Sequence, residues 1–358
     1  MTGFDLETDR PGIWRRLLAR VYGRLIGLRL WLYRTGVLKR FRLPARVVSV
    51  GNLTVGGTGK TPAAIFIARS LQARGFKVAV LSRGYKAARR GQVNVVSDGR
   101  EVLLGPSQAG DEACLMARAL PGVPVLSGRN RAALGRYAVE RFGTGVLVLD
   151  DGFQHLPLER DVDLLLLDAR QPWGNGRLLP AGPLREPEAE AARATAFLIT
   201  RTETPPEELI EGIRRDFPDR PVFTARHRPV RLVRLDGEEE RDAGWLAGRR
   251  IMAFCGLGRP LSFLDTLVGL GAEVPLFMRW PDHHMPSKRD LMLLEVRAYE
   301  WRLDVAVTTA KDAIKIGGRE VGGRVVQPLD VWVLEVELEL TDGEEAFMDM
   351  LAAAGGEG

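Results

Sequence analysis

Cysteine is almost missing from this chain. Cys114 and Cys255 are the only two among 358 residues, neither sits in a Cys-x-x-Cys or Cys/His grouping, and a disulfide framework is thereby excluded. Two reduced core thiols are expected instead. Histidine is nearly as scarce, at four, which leaves no ligand set for a structural zinc. No stretch of about 18 uncharged apolar residues occurs, so no standard membrane-spanning helix is expected. An apolar run ending in a small-residue cleavage site is lacking too, so no cleavable leader is expected. Repeats at a solenoid period are absent. Residues 14–42 contain no acidic side chain at all.

What is present is an ordinary globular composition, 45% hydrophobic and 27% charged, with a net charge of +5. A chain of this length is expected to form two domains with a core that needs no covalent staples. The positive charge is concentrated near the start, from Arg15 to Arg42. There Trp14, Leu18, Val21, Leu25, Leu28 and Leu32 recur at helical spacing as one stripe, with arginines around much of the remaining circumference. Two readings stand. One is an interfacial helix, with arginines toward anionic lipid and the stripe in the acyl boundary. The other is an amphipathic helix packed on its own domain. No nucleic-acid-binding motif accompanies the charge, and nucleic acid is not an expected partner.

Residues 46–51 read as a buried parallel strand. Thr54-Val55-Gly56-Gly57-Thr58-Gly59-Lys60-Thr61 follows, and a helical run begins at Pro62. Glycines let the backbone wrap close to phosphate oxygens, and a helix N-terminus adds positive potential. Lys60 is expected to reach the β- and γ-phosphates of a nucleotide, and the Thr61 hydroxyl to ligate Mg²⁺. The strict pattern wants glycine where Thr54 stands. A second element, Val146-Leu147-Val148-Leu149, ends in Asp150 and Asp151. Carboxylates at the carboxyl end of a core strand beside such a loop are expected to hold Mg²⁺; capping of the next turn is the plainer alternative. Further strands over 77–82, 162–168 and 197–200, with helices between several of them, predict a parallel sheet flanked by helices. Its ligands are expected beyond the strand carboxyl ends.

The remaining motifs carry a resemblance. The run from Ser49 to Pro62, Leu81-Ser82-Arg83-Gly84-Tyr85, Gly110-Asp111-Glu112, the run from Leu149 to His155, the run from Leu179 to Glu186, Pro281-Asp282-His283-His284 and Thr308-Thr309-Ala310-Lys311-Asp312 are together similar to the tetraacyldisaccharide 4'-kinase family, the lipid A 4'-kinases of Gram-negative bacteria. In that family Ser or Thr is usual at the position of Thr54. The resemblance implies that ATP phosphorylates the 4'-hydroxyl of a tetraacylated glucosamine disaccharide 1-phosphate, giving lipid IVA. It also implies action at the cytoplasmic face of the inner membrane, anchored by the N-terminal helix.

The resemblance further implies Asp111 as general base, assisted by a histidine for which His283 is the better match and His284 the weaker. From the residues alone, Asp111 reads equally well as a helix cap. Asp150 and Asp151 match the family's acidic pair for Mg²⁺. Gln154 and His155 match positions tied to nucleotide or substrate, and Arg83, Tyr85, Arg131, Arg185 and Glu186 match residues around the disaccharide and its phosphates. Lys311 and Asp312 stay unassigned, since a strand-end salt bridge explains them as well.

The expected organisation is a basic helix over 1–45, a P-loop kinase domain over 46–228, a charged linker over 229–250 with a short strand in the charged stretch, a smaller α/β domain over 251–340 whose strand at 331–338 is a candidate to pair with that linker, and a C-terminal helix and tail over 341–358. The competing reading, a P-loop ATPase or GTPase switch at a membrane surface, lacks two marks. Val55 stands where partitioning ATPases often carry a signature lysine, and Thr309-Ala310-Lys311-Asp312 lacks the asparagine of a guanine-reading element.

Overall fold

The computed structural model describes residues 12–85, 87–88, 91–316 and 329–353. The segment before residue 12 and the glycine-bearing tail after 353 lie outside the described residues.

Strands β1 (Arg46–Gly51), β2 (Val78–Ser82), β5 (Val146–Asp150), β6 (Val162–Asp168) and β7 (Ala196–Thr200) are apolar along nearly their whole length and buried. Such continuous runs suit a parallel sheet covered on both faces. β1 lies between β5 and β6 and is parallel to both. The chain therefore leaves β1 toward one side of the sheet and returns to build the other, which opens a crevice at the strand carboxyl ends. β4 (Pro124–Ser127) and the antiparallel β3 (Asn94–Asp98) complete that side.

The second half is not a separate sheet. β8 (Val222–Arg234) starts parallel to β7 and then runs antiparallel to β13 (Asp330–Leu340) as far as Arg234. β13 pairs with β12 (Val305–Thr309), β12 with β10 (Arg250–Cys255), and β10 with the edge strand β11 (Glu273–Arg279). With the short β9 (Glu240–Asp242) on β8, a single 13-stranded sheet joins two lobes. The expected domain boundary at 228/229 falls inside β8; the short strand expected in the charged stretch is part of this longer strand, and it pairs with β13 as the 331–338 segment suggested. The charges that suggested a linker are cross-strand partners: Arg226 with Glu339 (3.2 Å), Arg231 with Glu335 (2.8 Å) and Arg234 with Asp330 (3.0 Å). Opposite charges directly across a ladder stabilise the pairing of polar strands.

Helix α1 (Ile13–Arg34) touches the first lobe through polar groups. The Tyr22 hydroxyl donates to the Arg185 carbonyl (2.8 Å), Arg29 donates to the Gln154 carbonyl (2.8 Å), and Arg34 pairs with Glu190 (2.6 Å). Leu30 is its buried residue, while Trp14, Leu18, Val21, Leu25 and Leu28 are 48–74% exposed. The apolar stripe thus points away from the protein. No described helix is long and apolar enough to cross a membrane. At the other end α10 (Glu344–Ala353) folds back on the first lobe, where Phe347 meets Phe223 edge-on at 5.0 Å. Both cysteines are free and buried.

Candidate active site

The phosphate loop spans residues 52–59, between β1 and helix α2 (Lys60–Ala73). Gly59 has φ +83°, and a Cβ there would lie 2.8 Å from the His227 ring, so both backbone and space require glycine. Thr54 is buried, and its hydroxyl accepts from the Asn52 amide (3.2 Å). Around it the Val55 N–H donates to the Pro183 carbonyl (2.8 Å) and the Arg185 N–H to the Leu53 carbonyl (2.7 Å). A hydroxyl residue thus fits where the strict loop pattern has glycine, because this part of the loop is laced to residues 183–185.

Lys60 donates to Asn52 Oδ1 (3.0 Å) and lies 3.7 Å from Asp151. Arg185 Nη1 meets both Asp151 oxygens, at 2.9 and 2.8 Å. Burial alone would raise the Asp151 pKa, but Lys60 and Arg185 outweigh it and hold the carboxyl below its usual range. Asp150 is the opposite case. Burial, then Glu112 and Asp151, push it up to about 8, and its Oδ1 is buried with no protein hydrogen-bond partner, as is the Thr58 hydroxyl. Two adjacent carboxyls are thus shifted in opposite directions, Asp150 up and Asp151 down. Among the described residues no group of three His, Cys, Asp or Glu gathers as a metal site. The donors present, the Asp150 and Asp151 carboxylates and threonine hydroxyls, suit an ion that takes its other ligands from water and phosphate, as Mg²⁺ does.

The second cluster forms where the lobes meet. Asp111 opens helix α4 (Asp111–Ala119) after Gly110, whose φ is +92° and whose Cβ would lie 2.8 Å from the Tyr85 carbonyl oxygen. From the second lobe His283 Nδ1 approaches Asp111 Oδ2 at 3.0 Å, Lys315 Nζ at 3.7 Å and Lys311 Nζ at 4.0 Å. Burial pushes the Asp111 pKa up, but the His283 hydrogen bond and the lysines overcome it and bring the carboxyl to about 2. The Tyr85 ring stacks obliquely on His283 at 5.1 Å. His284 turns to Asp290 (3.1 Å) and Trp280 instead, away from this contact.

Both clusters border one cleft of about 1830 Å³. Lys60, Thr61, Asp150 and Asp151 line it, as do Arg83, Tyr85, Arg131, Gln154, His155, Arg185, Glu186 and His283. Asp111 is 7% exposed, whereas His283, which touches it, and Lys311 line the cleft. Arg131, nearly buried at the start of helix α5 (Arg131–Phe142), is lowered to about 10 by burial, with Asp151 and Asp150 opposing. His155 is lowered to about 3, by burial first and then by Arg131, Arg160, Arg29 and Arg83. A neutral imidazole among four guanidinium groups marks a region suited to an anion. Glu186 is fully buried, and Oε2 is bound by Arg193 (2.6 Å).

Some lining groups have little or no sequence signal. Glu112 lies within reach of Lys60 and Lys311, and burial raises its pKa; the Gly-Asp-Glu motif contained it. His227 sits over the phosphate loop and is lowered to about 4, chiefly by burial. It comes from the charged stretch of β8, which has no motif. Asp168, at the end of β6, binds Arg201 of its own lobe (3.1 Å) and Arg259 of the other (2.5 Å). Only the topology brings those three together.

Comparison with known proteins agrees with this architecture. The family model described as "Tetraacyldisaccharide-1-P 4'-kinase" matches residues 13–355. A tetraacyldisaccharide 4'-kinase of Syntrophus aciditrophicus is 46% identical over 313 residues, covering 80% of this chain and 83% of that one. Its counterpart in Desulfatibacillum aliphaticivorans is 37% identical over 360 residues, covering 98% and 94%. The crystal structure of LpxK from Aquifex aeolicus in complex with ATP superposes with a TM-score of 0.75 at 34% identity, covering 94% of this chain and 97% of that chain. The α/β fold with its phosphate loop, the order of the motifs and the match over nearly the whole length converge: the chain belongs to the tetraacyldisaccharide 4'-kinase family.

Proposed function

We propose that this kinase transfers the γ-phosphoryl group of ATP to the 4'-hydroxyl of a tetraacyldisaccharide 1-phosphate, with the Asp111–His283 pair as general base. The observation that carries the reading is the meeting of a phosphate loop and a cross-lobe carboxylate–histidine pair in one cleft. Lys60 and the backbone of residues 54–61 hold the ATP phosphates, with the N-terminus of α2 adding positive potential. Thr61, Asp150 and Asp151 are the residues that would hold Mg²⁺, which when bound neutralises charge on the phosphate oxygens. Arg185 keeps Asp151 ionised and in place.

The acceptor hydroxyl lies against His283. Its ring is fixed by Asp111 on Nδ1 and by Tyr85 on one face, and the pair takes up the proton as the new O–P bond forms. Within the pair, the burial and strong ionisation of Asp111 suit an orienting carboxylate, with the histidine toward the acceptor; the family resemblance implied the reverse order. Arg83, Arg131 and the neighbouring His155 and Gln154 suit the acceptor's 1-phosphate and sugar. Glu186, tied to Arg193, fixes the wall that carries Arg185.

The exposed stripe of α1 supports docking at an anionic bilayer, at the cytoplasmic face of the inner membrane. Each large apolar side chain leaving water contributes roughly 1.5–3 kcal/mol, and each basic residue near an anionic surface about 1 kcal/mol. Apolar insertion therefore dominates, with the arginines setting lipid preference. Purified protein with ATP, Mg²⁺ and the tetraacyl disaccharide acceptor tests the function. Acceptor-dependent phosphate incorporation is expected. Brisk hydrolysis of ATP without incorporation would overturn it in favour of a membrane-surface switch.

A further inference from the structure

The segment Thr309-Ala310-Lys311-Asp312 and the residues after it form helix α9 (Ala310–Ile316), which packs against α4, the helix that carries Asp111. Asp312 and Lys315 are a buried ion pair at 3.0 Å, and both side chains are wholly inaccessible. The Asp312 carboxylate is saturated: Oδ2 accepts from the Gly256 N–H (2.9 Å) and the Thr309 hydroxyl (2.8 Å), and Oδ1 from Lys315. Thr309 also accepts from the Asp312 N–H (3.2 Å), as a helix cap does.

Capping explains Asp312 but not Lys315. Burying an ammonium is expensive unless anions surround it. One anion here is Asp312, and the other is Asp111 of the opposite lobe, 3.7 Å away. Lys311 differs. Its side chain is 17% exposed, lines the cleft and is bound to Asp282 at 2.9 Å. Lys315 has no route to a substrate and acts only on what it touches.

We propose that Lys315, held by Asp312, which Thr309 in turn anchors, is a positioning residue that keeps Asp111 ionised and aimed at His283, so that the second lobe completes the base. This rests on the reading of Asp111–His283 as the base. The charged and titratable groups around Asp111 are Glu112 and Cys114 on its own helix, Tyr85 against the His283 ring, Asp282 and His283 on the loop before α8 (Lys288–Glu300), and Lys311, Asp312 and Lys315 on α9. Lys60 of α2 reaches the set through Glu112. Lys311 is shared between Asp282 and Asp111 and acts more strongly on the Asp111 carboxyl; Lys315, shared between Asp312 and Asp111, is the nearer of the two at 3.7 Å against 4.0 Å and the wholly buried one.

The test uses the full chain with ATP, Mg²⁺ and the lipid acceptor, measuring kcat/KM against pH for the wild type, Lys315→Met and Asp111→Asn. Removing a cation beside the pair makes it easier to protonate, so in Lys315→Met the acid limb moves to higher pH. The plateau kcat falls by about tenfold, while the KM for ATP stays within about twofold. A merely structural lysine would lower the melting temperature and leave the limb where it was; that result overturns the proposal. Asp312→Asn/Lys315→Met removes both charges of the buried pair, and it should give the same limb shift where the single variant does not fold. The two readings separate cleanly. If Asp111→Asn keeps near-normal activity, the base assignment fails. If Asp111→Asn is inactive and neither Lys315 variant moves the limb, only the role of Lys315 fails.

Discussion

The two ends of the cleft are built by opposite strategies. At the phosphate end Lys60, Asp151 and Arg185 come from one lobe, within a short distance of β1 and β5, and the two cations share the one carboxylate, leaving a net positive charge. At the acceptor end Asp111 comes from one lobe and His283, Lys311 and Lys315 from the other. The first cluster exists whenever the first lobe is folded. The second exists only where the lobes meet. On the proposed reading, the nucleotide is held by groups of one lobe, while the acceptor chemistry needs groups from both.

Breaking the phosphate end should have the largest effect. Lys60→Ala is expected to lower turnover by about 10³-fold or more and to weaken ATP binding, as read by calorimetry. Breaking the acceptor end should separate the two functions. Asp111→Asn is expected to reduce kcat by roughly 10²–10⁴-fold with the ATP dissociation constant within about twofold. If ATP binding collapses too, the clusters are not independent.

A smaller effect is expected from helix α1, which belongs to neither end. Replacing Trp14, Leu18 and Leu25 by serine should raise the apparent KM for acceptor in anionic vesicles by about tenfold or more. With detergent-dispersed acceptor, kcat should be unchanged. An equal loss in both assays would mean that the stripe supports the fold instead.

The last effect, read in stability and not in turnover, sharpens the nucleotide end. His227 is held neutral by burial, with a pKa of about 4 against 6.5. An unfolded chain takes up the proton below about 6.5 and the folded one does not, so stability falls as pH drops from 6.5 toward 4. The loss at this site is on the order of 3 kcal/mol. His227→Gln should flatten the acid slope of the melting temperature, and an unchanged slope would show that His227 is not the group responsible.

The same contrast explains what could be read in advance. The phosphate loop and the strand ending in Asp150-Asp151 were legible because local chemistry dictates them: glycine at a left-handed position, lysine at a helix start, carboxylates closing an apolar run. The apolar stripe of α1 was equally plain, but whether it faced the protein was not, since periodicity does not say what lies opposite. The joint between the lobes was legible only in outline, as a short strand in a charged stretch with 331–338 as a candidate partner, and the rest was hidden for an electrostatic reason. Arg226, Arg231 and Arg234 look like linker charges until Glu339, Glu335 and Asp330 are placed beside them, more than 90 residues later in the chain. His227, Arg259 and Lys315 gain their meaning only from neighbours that the topology supplies.

The central claim is that Asp111 and His283 act as one unit across the lobe interface. A double-mutant cycle of Asp111→Asn and His283→Ala, read as kcat with saturating ATP and lipid acceptor, addresses it directly. If the pair is a unit, the double variant is no slower than the slower single variant. Losses that multiply would mean that the two residues act separately, and would contradict the account.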